Sequence, residues 1–175
     1  MNLTPSPLML PDEFDWLSSL YRAMRPERVL EIGTWQGGTL REWLDGAPEL
    51  VVAVDLEHQN AQAYAAWRQD RTELVVLTGP SQDPGVVSLA GARGPYDWLF
   101  IDGDHHLEAV SADVLLYSPM VRQGGVILLH DVLAPDLQPQ PYPPGEVLAQ
   151  YGGRAYTTDL PCDEPHGIGV IQVGW

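Results

Sequence analysis

Short apolar runs alternate with stretches of mixed polarity from one end of the chain to the other. An amphipathic segment around Glu13–Met24 comes first. It is followed by Arg28-Val-Leu-Glu-Ile, a run that stops at Gly33 and predicts a buried strand. Thr39–Leu44 predicts a short helix, Leu50–Val54 a second strand, and Ala61–Asp70, rich in Ala and Gln, another helix. Glu73–Leu77 predicts a third strand, Val86–Ala92 a weaker helix, and Asp97–Ile101 a fourth strand. Leu107–Val121 sets Leu107, Val110, Val114, Leu115 and Tyr117 at close to helical spacing, and Gly124–Leu129 predicts the fifth strand. Arg154–Thr158 and Ile168–Val173 predict the last two strands, as a closing antiparallel pair.

The strand runs are continuously apolar rather than alternating, which suits strands covered on both faces by helices. Regular strand–helix alternation then predicts an α/β fold. It is Rossmann-like and doubly wound, with a mostly parallel seven-stranded sheet whose last strand is antiparallel. The expected organisation is one domain over 1–175, with an N-terminal helical segment at 1–27 and a Pro-rich loop at 133–145. Four of the nine residues in DLQPQPYPP (136–144) are proline, which predicts a loop. Lying just beyond a strand end, this loop and its Tyr142 are candidates for an active-site wall.

Composition narrows the function. The 175 residues are 45% hydrophobic and 19% charged, as in an ordinary folded domain. No apolar run reaches the roughly 20 residues that span a bilayer, and the N-terminus shows no basic segment leading into an apolar stretch. The expectation is a cytoplasmic protein with no membrane partner. Cys162 is the single cysteine, so no disulfide or Cys-based metal site is expected within the chain. Nine basic residues against 24 acidic ones give a formal charge of −15, and every basic residue is arginine. Such a chain repels nucleic acid at long range, which argues against a nucleic-acid substrate. Lacking lysine, it has neither a P-loop lysine nor a Schiff-base nucleophile.

In an open parallel sheet, ligands bind at the carboxyl ends of the strands. The first strand runs into Gly33-Thr-Trp-Gln-Gly37-Gly38, a Gly-x-x-x-Gly turn that differs from the Gly-x-Gly-x-x-Gly of a dinucleotide site. Glycines there let backbone approach a ligand, and the following helix opens with N–H donors. Asp55 ends the second strand, where a carboxylate holds the ribose of an adenosyl group or caps the following helix.

Taken together, VLEIGTWQGG (29–38), VVAVDLE (51–57), GPSQD (79–83), DWLFIDGDHH (97–106) and GGVILLHD (124–131) resemble class I S-adenosylmethionine-dependent methyltransferases. GPSQD is similar to the adenine-contacting turn of catechol O-methyltransferase. IDGDHH, GVILLHD and the final HGIGVIQV resemble small bacterial methyltransferases related to cephalosporin-hydroxylase and macrolide-sugar O-methyltransferase proteins. The resemblance covers about Arg28 to Val132. It implies an enzyme that methylates a small-molecule hydroxyl, with S-adenosyl-L-methionine as cofactor. It places Glu31, Gly33, Thr34 and Gly37 around the methionine moiety, Asp55 on the ribose, Ser81 and Gln82 beside the adenine, and Asp102 at the junction with the catalytic end. Glu31 has a second reading, as a carboxylate bonding nearby backbone.

Methyl transfer needs an aligned nucleophile and a group to take its proton. Asp102, His130 and Asp131 end the fourth and fifth strands and are candidate ligands for a hard ion such as Mg²⁺. In the metal-dependent O-methyltransferases that the chain resembles, acidic residues occupy these places. Here His130 stands at one of them, which favours Mn²⁺ or leaves the site metal-free with the histidines acting alone. His105, three residues after Asp102, has the spacing of the catalytic histidine in the macrolide-sugar relatives, and is expected to act as general base ahead of His106. The other histidines are placed by topology alone: His166 near the same rim, and His58 near the adenine edge. Two alternatives stand beside this reading: a Rossmann-like NAD-binding oxidoreductase, and a non-catalytic S-adenosylmethionine-binding subunit. In so short a chain, a homodimer that completes the pocket is a further expectation.

Overall fold

The computed structural model describes residues 5–133, 143–156 and 167–174. Helix α1 (Pro11–Met24) opens with proline in its first turn, where no intrahelical N–H is lost, and ends at Arg25 in the left-handed conformation. The elements then follow as β1 (Arg28–Ile32), α2 (Gly38–Asp45), β2 (Leu50–Asp55), α3 (Ala61–Trp67), β3 (Glu73–Thr78), α4 (Pro84–Gly91), β4 (Tyr96–Ile101) and α5 (Leu107–Tyr117). A 3-10 turn (Ser118–Met120) leads into β5 (Val121–Leu129), and α6 (Pro143–Gln150), β6 (Arg154–Tyr156) and β7 (Ile168–Gln172) complete the described chain.

The seven strands form one sheet in the order β3-β2-β1-β4-β5-β7-β6. β1 pairs in parallel with β2 and β4, β2 with β3, and β4 with β5. β7 runs antiparallel to both β5 and β6, as the sequence predicts for the last strand. The strand order reverses between β1 and β4, so a crevice opens above the carboxyl ends of these two strands.

Period-two alternation sends successive side chains to opposite faces. Leu30, Ile32, Val52, Val54, Leu99, Ile127 and Leu129 face Val86 of α4, Val110, Val114 and Tyr117 of α5, and Val147 of α6. Val29, Val51, Ala53, Trp98, Phe100 and Leu128 face Leu17 and Tyr21 of α1, Leu40 and Trp43 of α2, and Tyr64 of α3. Helices cover both faces, which is the doubly wound arrangement. Trp43 and Trp98 are fully buried and meet edge-to-face at 5.3 Å, an arrangement that aromatic quadrupoles favour.

Two boundaries differ from the sequence expectation. The 133–145 segment is not loop throughout, because α6 already begins at Pro143 and Pro144. Proline is excluded from helix interiors but fits the first turn, where its fixed φ is already helical. Residues 134–142, with Tyr142, lie outside the described residues, as do 157–166 with Cys162 and His166. The helix predicted over Leu107–Val121 ends at Tyr117, and Pro119 carries the chain through the 3-10 turn into β5. Among the described residues, no helix is long and apolar enough to cross a membrane.

Candidate active site

The turn after β1 is built on left-handed glycines. Gly33 has φ +86° and Gly37 φ +84°, and between them Trp35 adopts φ 43°, a conformation that a bulky side chain adopts only under constraint. The constraint is Asp55. Its Oδ2 accepts from the backbone N–H of Thr34 at 2.6 Å, from that of Trp35 at 2.8 Å and from the Thr34 hydroxyl at 3.1 Å. Its Oδ1 accepts from the Glu57 N–H at 3.1 Å. Burial pushes the Asp55 carboxyl up, but these donors outweigh burial and hold it below the ordinary value. The end of β2 therefore organises the turn after β1 before any ligand arrives.

This turn borders two adjoining cavities. The larger, about 550 Å³, is lined by Gly33, Trp35, Asp55, Ser81, Gln82 and Asp102 among others. Ser81 and Gln82 are fixed from below by Asp113 of α5. Its Oδ1 accepts from the Ser81 hydroxyl at 2.6 Å and from Gln82 Nε2 at 2.7 Å, while the Tyr117 hydroxyl donates to the Ser81 carbonyl at 2.6 Å. The sequence reading missed Asp113. Only its polar character on the buried side of an apolar helix marks it out.

The smaller cavity, about 200 Å³, is lined by Leu8, Thr34, Trp35, Asp102, His105, His130 and Asp131, among others. Here His105 Nε2 lies 3.5 Å from Asp102 Oδ1 and 3.4 Å from Asp131 Oδ2. His130 Nδ1 donates to Asp102 Oδ1 at 3.1 Å and lies 3.3 Å from Asp131 Oδ1. Burial pushes the Asp102 carboxyl up, but His130 and His105 outweigh it and hold the group low. The Asp102 hydrogen bond raises His105 above its ordinary value, against burial.

The predicted residues therefore divide. Gly33, Thr34, Asp55, Ser81, Gln82, Asp102, His105, His130 and Asp131 all border the cavities. Glu31 and Gly37 border neither. Glu31 is fully buried under the turn, where Oε1 accepts from the Thr39 hydroxyl at the start of α2, and burial pushes its carboxyl up to about 8. Gly37 faces the Tyr64 and Trp67 rings. Among the described residues, the carboxylate or imidazole atoms that can converge on one ion belong to Asp102, His105 and Asp131, all within 4.8 Å of one another. His130 of the predicted ligand set sits behind this group, with 3% of its side chain exposed. His106 is 85% exposed and engages Asp104. His58 bridges the Thr34 hydroxyl at 3.1 Å and the Leu77 carbonyl at 2.9 Å, which is a structural role.

A family profile described as a methyltransferase domain matches residues 30–132, the span that carries every one of these cavity residues from Gly33 to Asp131. The chain belongs to this methyltransferase family. Demethylmacrocin O-methyltransferase of Streptomyces fradiae is 31% identical over 123 residues, which is 64% of this chain and 29% of that protein. Catechol O-methyltransferase of Mycobacterium tuberculosis is 37% identical over 126 residues, 67% of this chain and 54% of that protein. The chain thus spans about a third to a half of the length of these two relatives. The fold matches that of the methyltransferase MycE, solved with Mg, S-adenosylhomocysteine and mycinamycin VI, with a TM-score of 0.66 at 21% identity. That match covers 91% of this chain and 49% of the other. The family match removes the grounds for a dinucleotide-dependent oxidoreductase. It agrees with the Gly-x-x-x-Gly form of the methyltransferase's first turn.

Proposed function

We propose that this methyltransferase domain transfers a methyl group from S-adenosylmethionine to the hydroxyl of a small-molecule acceptor. The observation that carries the reading is the adjacency of the two cavities across Gly33, Trp35 and Asp102. One has the volume and the polar rim for an adenosyl group, and the other holds a histidine between two carboxylates. Asp55 Oδ1 keeps acceptor capacity for a ribose hydroxyl, and the Ser81–Gln82 turn is pre-formed for the base. S-adenosylmethionine supplies a methyl group already activated by its sulfonium.

The residues of the smaller cavity then have defined tasks. Trp35 and Leu8 present apolar surface to the acceptor body, and His105 takes the hydroxyl proton as the new carbon–oxygen bond forms. Asp102 and Asp131 orient the His105 ring from its Nε2 side and stabilise the imidazolium that results. As an alternative to that role for His105, Asp102, His105 and Asp131 fit a divalent ion, since two carboxylates and an imidazole suit Mn²⁺ better than Mg²⁺; a ligating His105 would no longer act as the base. When bound, such an ion would lower the pKa of the acceptor hydroxyl. The acidity of the chain fits an enzyme acting on small molecules rather than on nucleic acid, and the cytoplasm, where S-adenosylmethionine would be at hand, is the proposed location.

Calorimetry tests this reading. S-adenosylhomocysteine should bind with micromolar or tighter affinity, and NAD should not bind measurably. A hydroxyl-acceptor screen that reads S-adenosylhomocysteine release should then give turnover. Binding without turnover across neutral, aromatic and glycosidic acceptors would favour the non-catalytic subunit. The oligomeric state is read by light scattering in the same preparation.

A further inference from the structure

Helix α1 carries two buried polar side chains, and one of them reaches the site. Glu13 is 3% exposed although it lies in the first turn of a helix that starts near the surface. Its carboxylate gathers groups from three parts of the chain. Oε1 accepts from the Gly167 N–H just before β7 at 2.5 Å. Oε2 accepts from the Leu10 N–H at 3.3 Å and lies 3.8 Å from His130 Nε2. His130 in turn is 3% exposed and donates through Nδ1 to Asp102. A capping glutamate needs only the Leu10 contact, and it makes that contact equally well in water. Removing a carboxylate from water costs several kcal/mol unless partners repay it, so its burial against His130 calls for a reason beyond the cap.

We propose that Glu13 is a positioning residue of the site. From the N-terminal helix it holds the His130 ring in the orientation that presents Nδ1 to Asp102, and it ties that ring to the entry of β7. The chain of contacts runs Glu13, His130, Asp102, His105, so α1 fixes the wall against which the general base is aligned. The inference rests on the proposed methyl-transfer reading only for its kinetic consequence; the placement of His130 is separate from it. Glu13 Oε2 faces the Nε2 edge of the ring at 3.8 Å while Asp102 Oδ1 takes its Nδ1 edge at 3.1 Å, so the two carboxylates bracket the imidazole from opposite sides.

The test compares wild type with Glu13→Gln, which is isosteric but keeps an acceptor oxygen for only one of Gly167 and Leu10, and with Ser18→Ala, which alters the other buried polar residue of the same helix. Nitrogen NMR of the histidine rings should show His130 as one fixed form in wild type and in Ser18→Ala. In Glu13→Gln the His130 ring nitrogens should shift while those of His58 and His106 stay in place. S-adenosylhomocysteine affinity should remain within about twofold, and kcat should fall about tenfold with the acceptor KM unchanged. Should the Gln variant fail to fold, Glu13→Asp, which withdraws the charge by one methylene, should move the same resonances by less. His130 resonances that coincide with wild type in a folded Glu13 variant overturn the proposal. If wild type does not bind S-adenosylhomocysteine, the methyl-transfer reading fails, and the His130 measurement still decides the placement.

Discussion

The α-carbon of Gly33 faces the backbone of Asp102 so closely that a β-carbon there would lie 2.1 Å from the Asp102 carbonyl oxygen. The clash is with backbone of the neighbouring strand end and cannot be relieved by a rotamer change. The φ of +86° adds strain for any other residue. Gly33→Ala is therefore expected to lose more than about 2 kcal/mol of stability, read by urea denaturation, and to abolish S-adenosylhomocysteine binding. A variant that keeps wild-type affinity would show that the turn is not part of the cofactor site.

Glu31 gives stability a dependence on pH that a single substitution removes. Its folded carboxyl is pushed up to about 8 from 4.5, so below 4.5 it is protonated in both states and contributes no penalty. As pH rises from 4.5 to about 8 the unfolded chain releases the proton and the folded chain retains it, so stability falls. The slope is about 1.4 kcal/mol per pH unit for one such group, levelling off above the folded value. Glu31→Gln should abolish this component, and denaturation curves from pH 5 to 8.5 should diverge between the two proteins. Parallel curves would mean that Glu31 is ionised in the folded state.

The two adjacent histidines are expected to separate in turnover. His105→Ala should lower kcat by about 10²-fold or more with cofactor affinity kept, whereas His106→Ala should leave both unchanged. Because Asp102 raises His105 above 6.5, and a base works only when deprotonated, the rate should rise with pH through an apparent pKa above 6.5. Unchanged turnover in His105→Ala would remove His105 from its role.

Asp131 tests the metal. Its backbone has φ 57°, which asparagine tolerates, so Asp131→Asn changes the charge with little strain. Mn²⁺ is expected to raise the melting temperature of wild type, and Asp131→Asn to cancel that rise. No response in wild type, with S-adenosylhomocysteine still bound, would leave His105 and His130 acting alone.

Most of the fold was legible because its strands are buried on both faces and read as unbroken apolar runs. Even β5, whose start at Val121 precedes its glycine pair, was found by Gly124–Leu129. What the sequence hid was contact between distant segments. Nothing near Glu13 announces that it will meet Gly167, 154 residues away, or that Asp113 will hold the Ser81–Gln82 turn. His130 read as a ligand because it ends a strand beside Asp131; a burial that only packing decides places it behind the pair instead. Glu31 likewise sits at a strand end, yet the start of α2 closes over it. Strand-end position brought these residues to one crevice, and which side of the wall each side chain occupies came from the helices.

Trp35 has an optical consequence. Its indole is 43% exposed and borders both cavities, while Trp43 and Trp98 are sealed in the core. An adenine or aromatic acceptor arriving beside it should alter its emission, whereas the buried indoles would stay silent. If the proposed ligands occupy these cavities, the change in Trp35 emission, isolated from the other five tryptophans by comparison with Trp35→Phe, should report their binding without a label or a turnover assay.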